Sequence, residues 1–186
     1  MFHYPNISWT RYQAEAIGIP QIIVETGGEK EVELNDLRKA IAMAKEKHSI
    51  DCVYTGALAS EYQKSRADRI AQELGIACIS PLWHADPEMH MRRLIEEKFD
   101  IVLVGVAALG LDESWLGRRL SYEMVRDLVE LNRKYGVHIC LEGGEGETFV
   151  LDCPFFKQRI EMVSAEKIWR GDSGYLIIKD LRLAQK

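Results

Sequence analysis

The sequence predicts an α/β fold, with a mostly parallel sheet and flanking helices, followed by a small C-terminal antiparallel β appendage. Three observations support this prediction. Short apolar segments rich in β-branched residues alternate with helical patterns between residues 20 and 142. After Gly146 the segments are strand-like, with no helical pattern between them. Apolar residues make up 47% of the 186 residues, which is enough to form a packed core.

The first half of the chain is predicted to alternate strand and helix. Gln21–Glu25 (QIIVE) has the composition of a strand, and apolar residues spaced at threes and fours predict a helix over Glu31–Lys47. Asp51–Ala57 (DCVYTGA) is the next predicted strand. Ser60–Gly75 is a predicted helix, because it opens with a capping-box pattern and closes on glycine. Ile76–Pro81 (IACISP) is a strand that proline ends.

The alternation continues toward residue 142. Asp86–Lys98 is a predicted helix, with aspartate as N-cap and proline at the first helical position. Asp100–Ala108 (DIVLVGVAA) is the most apolar segment, so we expect a central strand buried on both faces. Ser121 is the predicted N-cap of a helix that ends near Tyr135–Gly136, and His138–Glu142 (HICLE) is a predicted strand. Such alternation favours βαβ crossovers and parallel strands.

The sequence predicts two domains. Residues 1–146 would form the α/β domain. Residues 147–186 contain the segments TFVLDCPFF, QRIEMVSAEKIW and GYLIIKDLRLA, which would form a β-rich appendage packed on it. No long linker separates the two parts, so we expect direct contact between them.

Composition excludes several classes of protein. The formal charge is −5, from 24 basic and 29 acidic residues, which argues against direct nucleic-acid binding. No signal-peptide pattern and no apolar run near the ~20 residues of a membrane helix is present, so we expect a cytoplasmic protein without a membrane partner. The four cysteines include no CxxC pair, which favours free thiols in a reducing compartment.

Three unusual loops follow predicted strands. They are Gly56–Arg66 (GALASEYQKSR), Ala107–Arg118 (AALGLDESWLGR) and Glu142–Thr148 (EGGEGET). Sites in open parallel sheets form at the carboxyl ends of strands. We therefore expect all three loops to border one cleft, with Gln63, Trp115 and Glu145 at its rim.

Each of the first two loops has two interpretations. Gly56–Arg66 offers a glycine turn and a helix N-terminus suited to an anion, or it is an ordinary capped helix. In the second loop, Asp112, Glu113, Trp115 and Arg118 are candidates for ligand contact. The alternative is that the tryptophan is a core anchor and the arginine pairs with the aspartate.

The third loop concentrates negative charge on a flexible backbone. Glu142, Glu145 and Glu147 lie within six residues, with three glycines among them. Like charges repel when they are desolvated, so these side chains either face a cation or form a solvated turn. The cation could be a metal, an ammonium group or a quaternary amine, and the glycines would allow close approach.

Two histidines in HADPEMH, His84 and His90, resemble a metal-binding pattern only superficially. They need not share a face, and the sequence offers no obvious third ligand. We expect no metal site formed by protein side chains.

The three loops carry a family resemblance. Glu142–Phe156 (EGGEGETFVLDCPFF) resembles the EGGExETFVxDxPxF signature of the diphthine–ammonia ligase family. GALASEYQKSR and GLDESWLGR resemble two further blocks of that family, and MFH at the start and AEAIGIP (Ala14–Pro20) match in order. The resemblance covers essentially the whole chain, and the last signature is highly specific.

The resemblance implies a fold and an activity. The fold is a PP-loop ATP-binding fold of the adenine nucleotide alpha-hydrolase type, which would make residues 1–146 a nucleotide-binding-like domain. The reaction converts the carboxylate of diphthine, on elongation factor 2, to the amide of diphthamide. It uses ATP with Mg²⁺ and ammonium.

The resemblance also implies roles for individual residues. The implied catalytic residues are Glu142, Glu145 and Glu147. The implied nucleotide contacts are Gly56, Ala57, Leu58, Gln63, Arg66, Gly143, Gly144 and Thr148. The implied substrate contacts are Asp112, Glu113, Trp115 and Arg118.

One family segment has no match in this sequence, the SGGKDS phosphate loop with its flanking strands. We therefore expect an N-terminally incomplete domain that by itself binds ATP weakly or not at all and lacks ligase activity. The alternative function is a non-catalytic nucleotide- or protein-binding module. The strand edges left open would be closed by pairing of Gln21–Glu25 with Asp51–Ala57, or by a second chain in a homo-oligomer.

The chemistry of the implied substrate fits the acidic loop. Diphthine carries a trimethylammonium group, which favours an aromatic face with carboxylates nearby. Trp115 and Trp83 are the aromatic candidates. Carboxylates could also hold ammonium and accept its proton.

Overall fold

The computed structural model describes residues 6–27 and 33–186, and these residues form two compact units. The first unit contains residues 21–27 and 33–85, and the second contains residues 6–20 and 86–186. The N-terminal MFH and the first two residues of the helix predicted over Glu31–Lys47 lie outside the described residues.

The first unit is a small α/β unit with one parallel strand pair. Its elements are α2 (Glu33–His48), β1 (Cys52–Tyr54), α3 (Glu61–Glu73) and β2 (Ala77–Ile79). The strands pair in parallel, with Val53 opposite Cys78. Leu34, Ile41 and Ile70 form its buried core between the two helices and the strands. The parallel βαβ unit predicted for this part of the chain is confirmed.

Helix α3 has the predicted end signals. Ser60 is extended, and its hydroxyl oxygen accepts a hydrogen bond from the Gln63 backbone N–H at 3.4 Å. At the other end Gly75 has a φ of 63°, the left-handed conformation that glycine adopts without steric cost. The capping pattern in the sequence therefore located this helix to within a residue or two.

The second unit combines helices with an antiparallel sheet. Its elements are α1 (Thr10–Ile17), α4 (Pro87–Glu96), β3 (Asp100–Val106), α5 (Tyr122–Tyr135), β4 (Gly146–Asp152), β5 (Arg159–Arg170) and β6 (Ser173–Ala184), with short 3-10 helices at Ile7–Trp9 and Glu113–Trp115. Asp86 and Ser121 cap α4 and α5 by accepting from Met89 and Met124. Both caps were predicted.

The sheet of the second unit has the order β4-β3-β6-β5, and every neighbouring pair is antiparallel. All residues of β3 after Asp100 are buried, which confirms the prediction of a strand covered on both faces. The prediction of a mostly parallel sheet is only partly correct, because parallel pairing within the described residues is confined to β1 and β2. An apolar strand reveals its burial, but not the direction of its neighbours.

The core of the second unit lies between this sheet and its helices. Fully buried side chains include Val102, Leu103, Val104, Leu116, Met124, Val125, Leu128 and Leu151. Helices α4 and α5 pack on each other, and α1 packs on β5 and β6. The Trp9 indole N–H donates to the Ile178 carbonyl at 2.9 Å, which ties the N-terminal segment to β6.

The strand predicted over Gln21–Glu25 is absent. These residues are irregular, and Ile23 is 60% exposed. An extended segment becomes a strand only when a neighbour satisfies its backbone groups, and β1 pairs with β2 instead. The expected pairing of Gln21–Glu25 with Asp51–Ala57 is therefore wrong.

The predicted domain boundary after Gly146 falls at the start of β4, inside the second compact unit, and the division into two domains there stays a prediction. Strand β4 pairs with β3 from Val106↔Gly146 to Asp100↔Asp152, and β6 pairs with the other edge of β3. The C-terminal β segments thus share one sheet with the most apolar strand of the chain. Within the described residues, no helix combines the length and hydrophobicity needed to cross a membrane.

Candidate functional site

The carboxyl ends of β1 and β2 lie side by side in the first unit. The hydroxyl oxygens of Thr55 and Ser80, which follow the two strands, are 2.7 Å apart. The His84 backbone N–H donates to the Leu58 carbonyl at 2.8 Å, joining the loop after β1 to the loop after β2. Helix α3 begins at this edge. The first unit thus has the loop arrangement in which nucleotide sites of α/β proteins form.

The nucleotide-contact candidates of the first unit occupy different environments at this edge. Ala57 and Leu58 are buried, and a Cβ built on Gly56 would meet nothing within 4 Å. Gln63 is half-buried in the first turn of α3. The Arg66 guanidinium lies 3.5 Å from the centre of the Tyr62 ring, which holds it against the helix surface.

A second cation at the start of α3 is engaged by neighbours. The Lys64 ammonium is 2.5 Å from an Asp68 carboxylate oxygen and 5.6 Å from the centre of the Trp83 ring. The ring of Trp83, a candidate contact for a substrate cation, therefore already has the Lys64 ammonium next to it.

In the second unit, the acidic loop is held by one of its own glutamates. The Glu145 carboxylate accepts from the His138 backbone N–H at 3.0 Å and from the Gly143 N–H at 2.6 Å. The Glu145 backbone carbonyl accepts a hydrogen bond from the Ala107 N–H at 2.8 Å, just beyond the end of β3. Residues 138–145 thus form a closed loop at the carboxyl end of β3, which we call the Glu145 clasp.

The glycines of this loop allow the clasp to close. A Cβ on Gly143 would lie 2.6 Å from a Glu145 carboxylate oxygen, and Gly144 has a φ of 84°. A Cβ on Gly146 would lie 3.0 Å from the Gly105 carbonyl oxygen. The conformation of the loop itself therefore requires these glycines, independently of any close approach by a ligand.

The strand predicted over His138–Glu142 is wrong. These residues form turns, with Leu141 at a φ of 60° and its N–H donating to the His138 carbonyl at 2.8 Å. The Glu145 side chain satisfies the His138 N–H, so no neighbouring strand is needed. The acidic loop still reaches the carboxyl end of β3, because antiparallel β4 starts there.

Glu142 lies near two other titratable groups, Cys140 and His90. Burial raises the pKa of the Cys140 thiol to about 12, and the charges of Glu142 and Asp86 add to the shift. Burial and the nearby Arg93 charge lower the pKa of His90, against an opposing effect of Glu142. His90 is therefore a neutral imidazole at pH 7, close to a carboxylate.

We expect Cys140 to resist alkylation. All four cysteines are free, but the Cys140 thiol donates to the Pro87 carbonyl at 3.4 Å and its high pKa leaves little thiolate at pH 8. Iodoacetamide labelling at pH 8 should be roughly 100-fold slower than for a cysteine in the urea-unfolded chain. Since the folded-state pKa is raised, folding stability should fall as pH rises above about 9. Equal labelling rates for Cys140 in folded and unfolded protein, measured by peptide mass spectrometry, would contradict this.

The Ala107–Arg118 loop leaves the carboxyl end of β3 and returns along its edge. The Gly117 N–H donates to the Leu103 carbonyl, and the Leu103 N–H donates to the Arg118 carbonyl, both at 2.9 Å. Asp112 caps the 3-10 helix by accepting from Ser114, whose hydroxyl and N–H lower the Asp112 pKa. The Glu113 carbonyl accepts from the Lys167 ammonium at 3.3 Å.

Trp115 is a core residue with a cation already on it. Its side chain is 6% exposed, and the Arg118 guanidinium lies 4.2 Å from the ring centre. Arg118 also forms an ion pair with Asp127 of α5 at 2.7 Å. An external cation would have to displace Arg118 to reach that face of the ring.

Sequence reasoning missed a residue beside Glu147. Gly105 of β3 pairs with Glu147 of β4 and with Tyr175 of β6, so the three form one row across the sheet. Thr148, the next candidate along β4, is exposed. The only sequence signal for Tyr175 was its place in a predicted strand, which does not reveal its partners across the sheet.

The structure brings together part of the predicted site. The acidic loop and the start of the Ala107–Arg118 loop meet at the carboxyl end of β3. The Gly56–Arg66 loop belongs to the first unit. The expectation that Gln63, Trp115 and Glu145 border one cleft stays a prediction. Among the residues that the structure describes, no group of three or more His, Cys, Asp or Glu is arranged to hold a metal ion.

The fold and the loop define a two-unit α/β protein with an acidic, glycine-rich site on a buried strand. Two family domains match the chain: the diphthamide synthase N-terminal domain matches residues 1–78, and the diphthamide synthase C-terminal domain matches residues 86–183. The chain belongs to the diphthamide synthase family.

Relatives named diphthine–ammonia ligase extend this finding. The mouse (Mus musculus) protein is 39% identical over 154 residues, and the human (Homo sapiens) protein is 36% identical over 154 residues. Both alignments cover 82% of this chain and 57% of the relative. The yeast (Saccharomyces cerevisiae) protein is 32% identical over 191 residues, covering 87% of this chain and 28% of the relative. The chain therefore spans less than three fifths of the length of these relatives.

Proposed function

We propose that this chain acts in the last step of diphthamide synthesis, the ATP-dependent conversion of diphthine on elongation factor 2 to diphthamide with ammonium. The observation that carries the proposal is the Glu145 clasp. It holds Glu142 on a defined backbone at the carboxyl end of β3, close in sequence to Glu147 at the start of β4, within a chain that matches both family domains. The names of the relatives give the joining of diphthine and ammonia, and the family resemblance implies ATP and elongation factor 2.

The three glutamates are assigned different roles. Glu145 is a positioning residue, since both of its carboxylate oxygens accept from backbone N–H groups of its own loop. Glu142 is the proposed general base: its carboxylate holds ammonium and accepts a proton from it, and the resulting ammonia attacks the carboxyl carbon of the acyl-adenylate and displaces AMP. Its nearness to neutral His90 supports this role, because a half-buried carboxylate beside an uncharged imidazole retains its attraction for a cation.

The nucleotide is assigned to the first unit. Three side chains there can hydrogen-bond to adenosine: the Gln63 amide and the hydroxyls of Thr55 and Ser80. The open space at Gly56 leaves room for the ligand. Arg66 provides a cation for phosphate. ATP, when bound, supplies the activation of the diphthine carboxylate, and Mg²⁺ would accompany its phosphates. Gly143, Gly144 and Thr148, the other implied nucleotide contacts, belong to the acidic loop in the second unit.

The Ala107–Arg118 loop is assigned to the substrate side. Asp112 and Glu113 are exposed and their carboxylates could meet a cationic group. The Arg118 guanidinium stacks on the Trp115 ring and forms an ion pair with Asp127 of α5, and these two contacts fix the loop. We propose that they position the two acids.

The test is amide formation by the purified chain. Elongation factor 2 carrying diphthine would be incubated with the chain, ATP and ammonium, and the modified histidine examined by peptide mass spectrometry. As the sequence leads us to expect, the chain alone should give little or no conversion of carboxylate to amide, whereas the chain with the family's SGGKDS phosphate-loop segment joined upstream should convert it in a reaction that requires ATP and ammonium. In that extended protein, Glu142→Gln should reduce the rate by roughly 100-fold or more. Glu123→Gln, an exposed glutamate on α5, is the matched control. ATP binding, measured by calorimetry, without amide formation by the extended protein would favour the non-catalytic module.

A further inference from the structure

The row across β4, β3 and β6 brings the Cβ of Glu147 and the ring of Tyr175 to one point, so the Glu147 carboxylate lies within a side chain's length of the ring. A Cβ built on Gly105 would lie 3.2 Å from the Glu147 Cβ and 3.2 and 3.3 Å from two carbon atoms of the Tyr175 ring. Both side chains therefore pack over the space that a side chain at position 105 would occupy. The absence of a Cβ at Gly105 is what allows them to approach each other.

This pair lies at the surface beside the acidic loop. Tyr175 is 40% exposed, and Glu147 is half-buried. The row is next to the pairing of Val106 with Gly146 and Gly174, the last of β3 before the Glu145 clasp. Ile168 of β5, which is opposite Tyr175, extends the row with an apolar side chain.

An aromatic ring beside a carboxylate is suited to one class of ligand. A large organic cation gains from the negative face of the ring and from the carboxylate charge, while its methyl groups gain from apolar contact. A small, strongly hydrated cation gains less from the ring. The pair therefore favours a quaternary ammonium group over a metal ion.

We propose that Glu147 and Tyr175, brought together over Gly105, form a binding site for a quaternary ammonium group. Its assignment to the trimethylammonium group of the substrate rests on the proposed function; the binding chemistry itself does not. In this assignment Tyr175 takes the role for which Trp115 was considered, since Arg118 covers the Trp115 ring.

The experiment compares a cation with its neutral isostere. Choline and 3,3-dimethyl-1-butanol have the same shape but differ in charge. Each would be titrated into the full chain, with binding followed by calorimetry and by tyrosine ring shifts in proton NMR. We expect choline to bind and the alcohol to bind at least several-fold more weakly. Equal binding of the two, or no choline binding, would overturn the proposal.

Variants assign the binding to the pair. Tyr175→Leu should weaken choline binding about 3- to 30-fold, whereas Tyr175→Phe should retain it, because the ring face rather than the hydroxyl contacts the cation. Glu147→Gln should weaken choline binding and leave binding of the alcohol unchanged. Tyr135→Leu is the matched control, since Tyr135 is also 40% exposed but lies on α5.

The outcomes separate this inference from the proposed function. Melting temperatures of all variants would be measured, so that loss of binding by a folded Tyr175→Leu protein is distinguished from unfolding; if that variant unfolds, Glu147→Gln decides. Unchanged choline binding in folded Tyr175→Leu or Glu147→Gln would refute the site. Choline binding without amide formation by the extended protein would retain the site and reject the ligase, and amide formation without choline binding would do the reverse.

Discussion

Replacing Glu145 by alanine in the extended protein is expected to reduce amide formation by roughly 100-fold, because the clasp that positions Glu142 would open. The variant leaves the His138 and Gly143 N–H groups without their carboxylate acceptor. Folding stability should also fall, by about 1–3 kcal/mol, since the partly buried His138 N–H is left without an acceptor, whereas the exposed Gly143 N–H can bond to water. Urea unfolding and single-turnover kinetics measure the two effects.

Hydrogen exchange distinguishes the positioning role of Glu145 from a catalytic one. In Glu145→Ala the amides of His138 and Gly143 should exchange much faster, while amides in α5 should be unchanged. Glu145→Gln should be intermediate, since its amide oxygen can accept from one N–H but its NH₂ group cannot accept from the other. Full protection of both amides in the alanine variant, together with lost activity, would instead assign Glu145 directly to the chemistry.

Replacing Leu128 by alanine is expected to destabilise the second unit by about 2–5 kcal/mol, which is the usual cost of removing a fully buried leucine side chain. Leu128 lies on α5 with no exposed surface. Single domains are stable by only about 5–15 kcal/mol, so this one change should remove a large share of the total. Urea unfolding of the chain, followed by tryptophan fluorescence, measures it.

Leu109→Ala is the matched control for this substitution. Leu109 lies in the loop after β3 and is 73% exposed, so the same chemical change should alter stability by no more than about 0.5 kcal/mol. Similar losses in unfolding free energy for the two variants would show that burial of Leu128 on α5 contributes little to the stability of the core. If Leu109→Ala alone lowered amide formation by the extended protein, the exposed leucine would be a substrate contact.

Local signals in the sequence were sufficient for the helices. Asp86, Ser121 and Gly75 acted within a few residues of themselves, through side-chain caps or a left-handed backbone, so their effect could be predicted without knowing the fold. The burial of β3 was equally predictable, because an apolar run of that length has few other ways to leave water.

Strand direction depended on contacts between residues far apart in sequence. His138–Glu142 has the composition of a strand, but the Glu145 carboxylate satisfies its first N–H, and β4 then pairs with β3 in the opposite direction. Gln21–Glu25 also has the composition of a strand, but β1 pairs with β2 instead. Composition specifies a tendency to extend, whereas partners decide whether a strand forms.

The sequence by itself established the family resemblance, the capped helices, the buried strand and the acidic loop, since each depends on residue types close together along the chain. The tertiary structure alone decided which groups those acids contact. In the structure the Glu145 carboxylate accepts a hydrogen bond from the backbone of its own loop, and Glu142 lies near His90. The Glu147 Cβ and the Tyr175 ring meet over Gly105. Such pairings depend on strand register, and a shift of one residue would turn each side chain to the other face of the sheet.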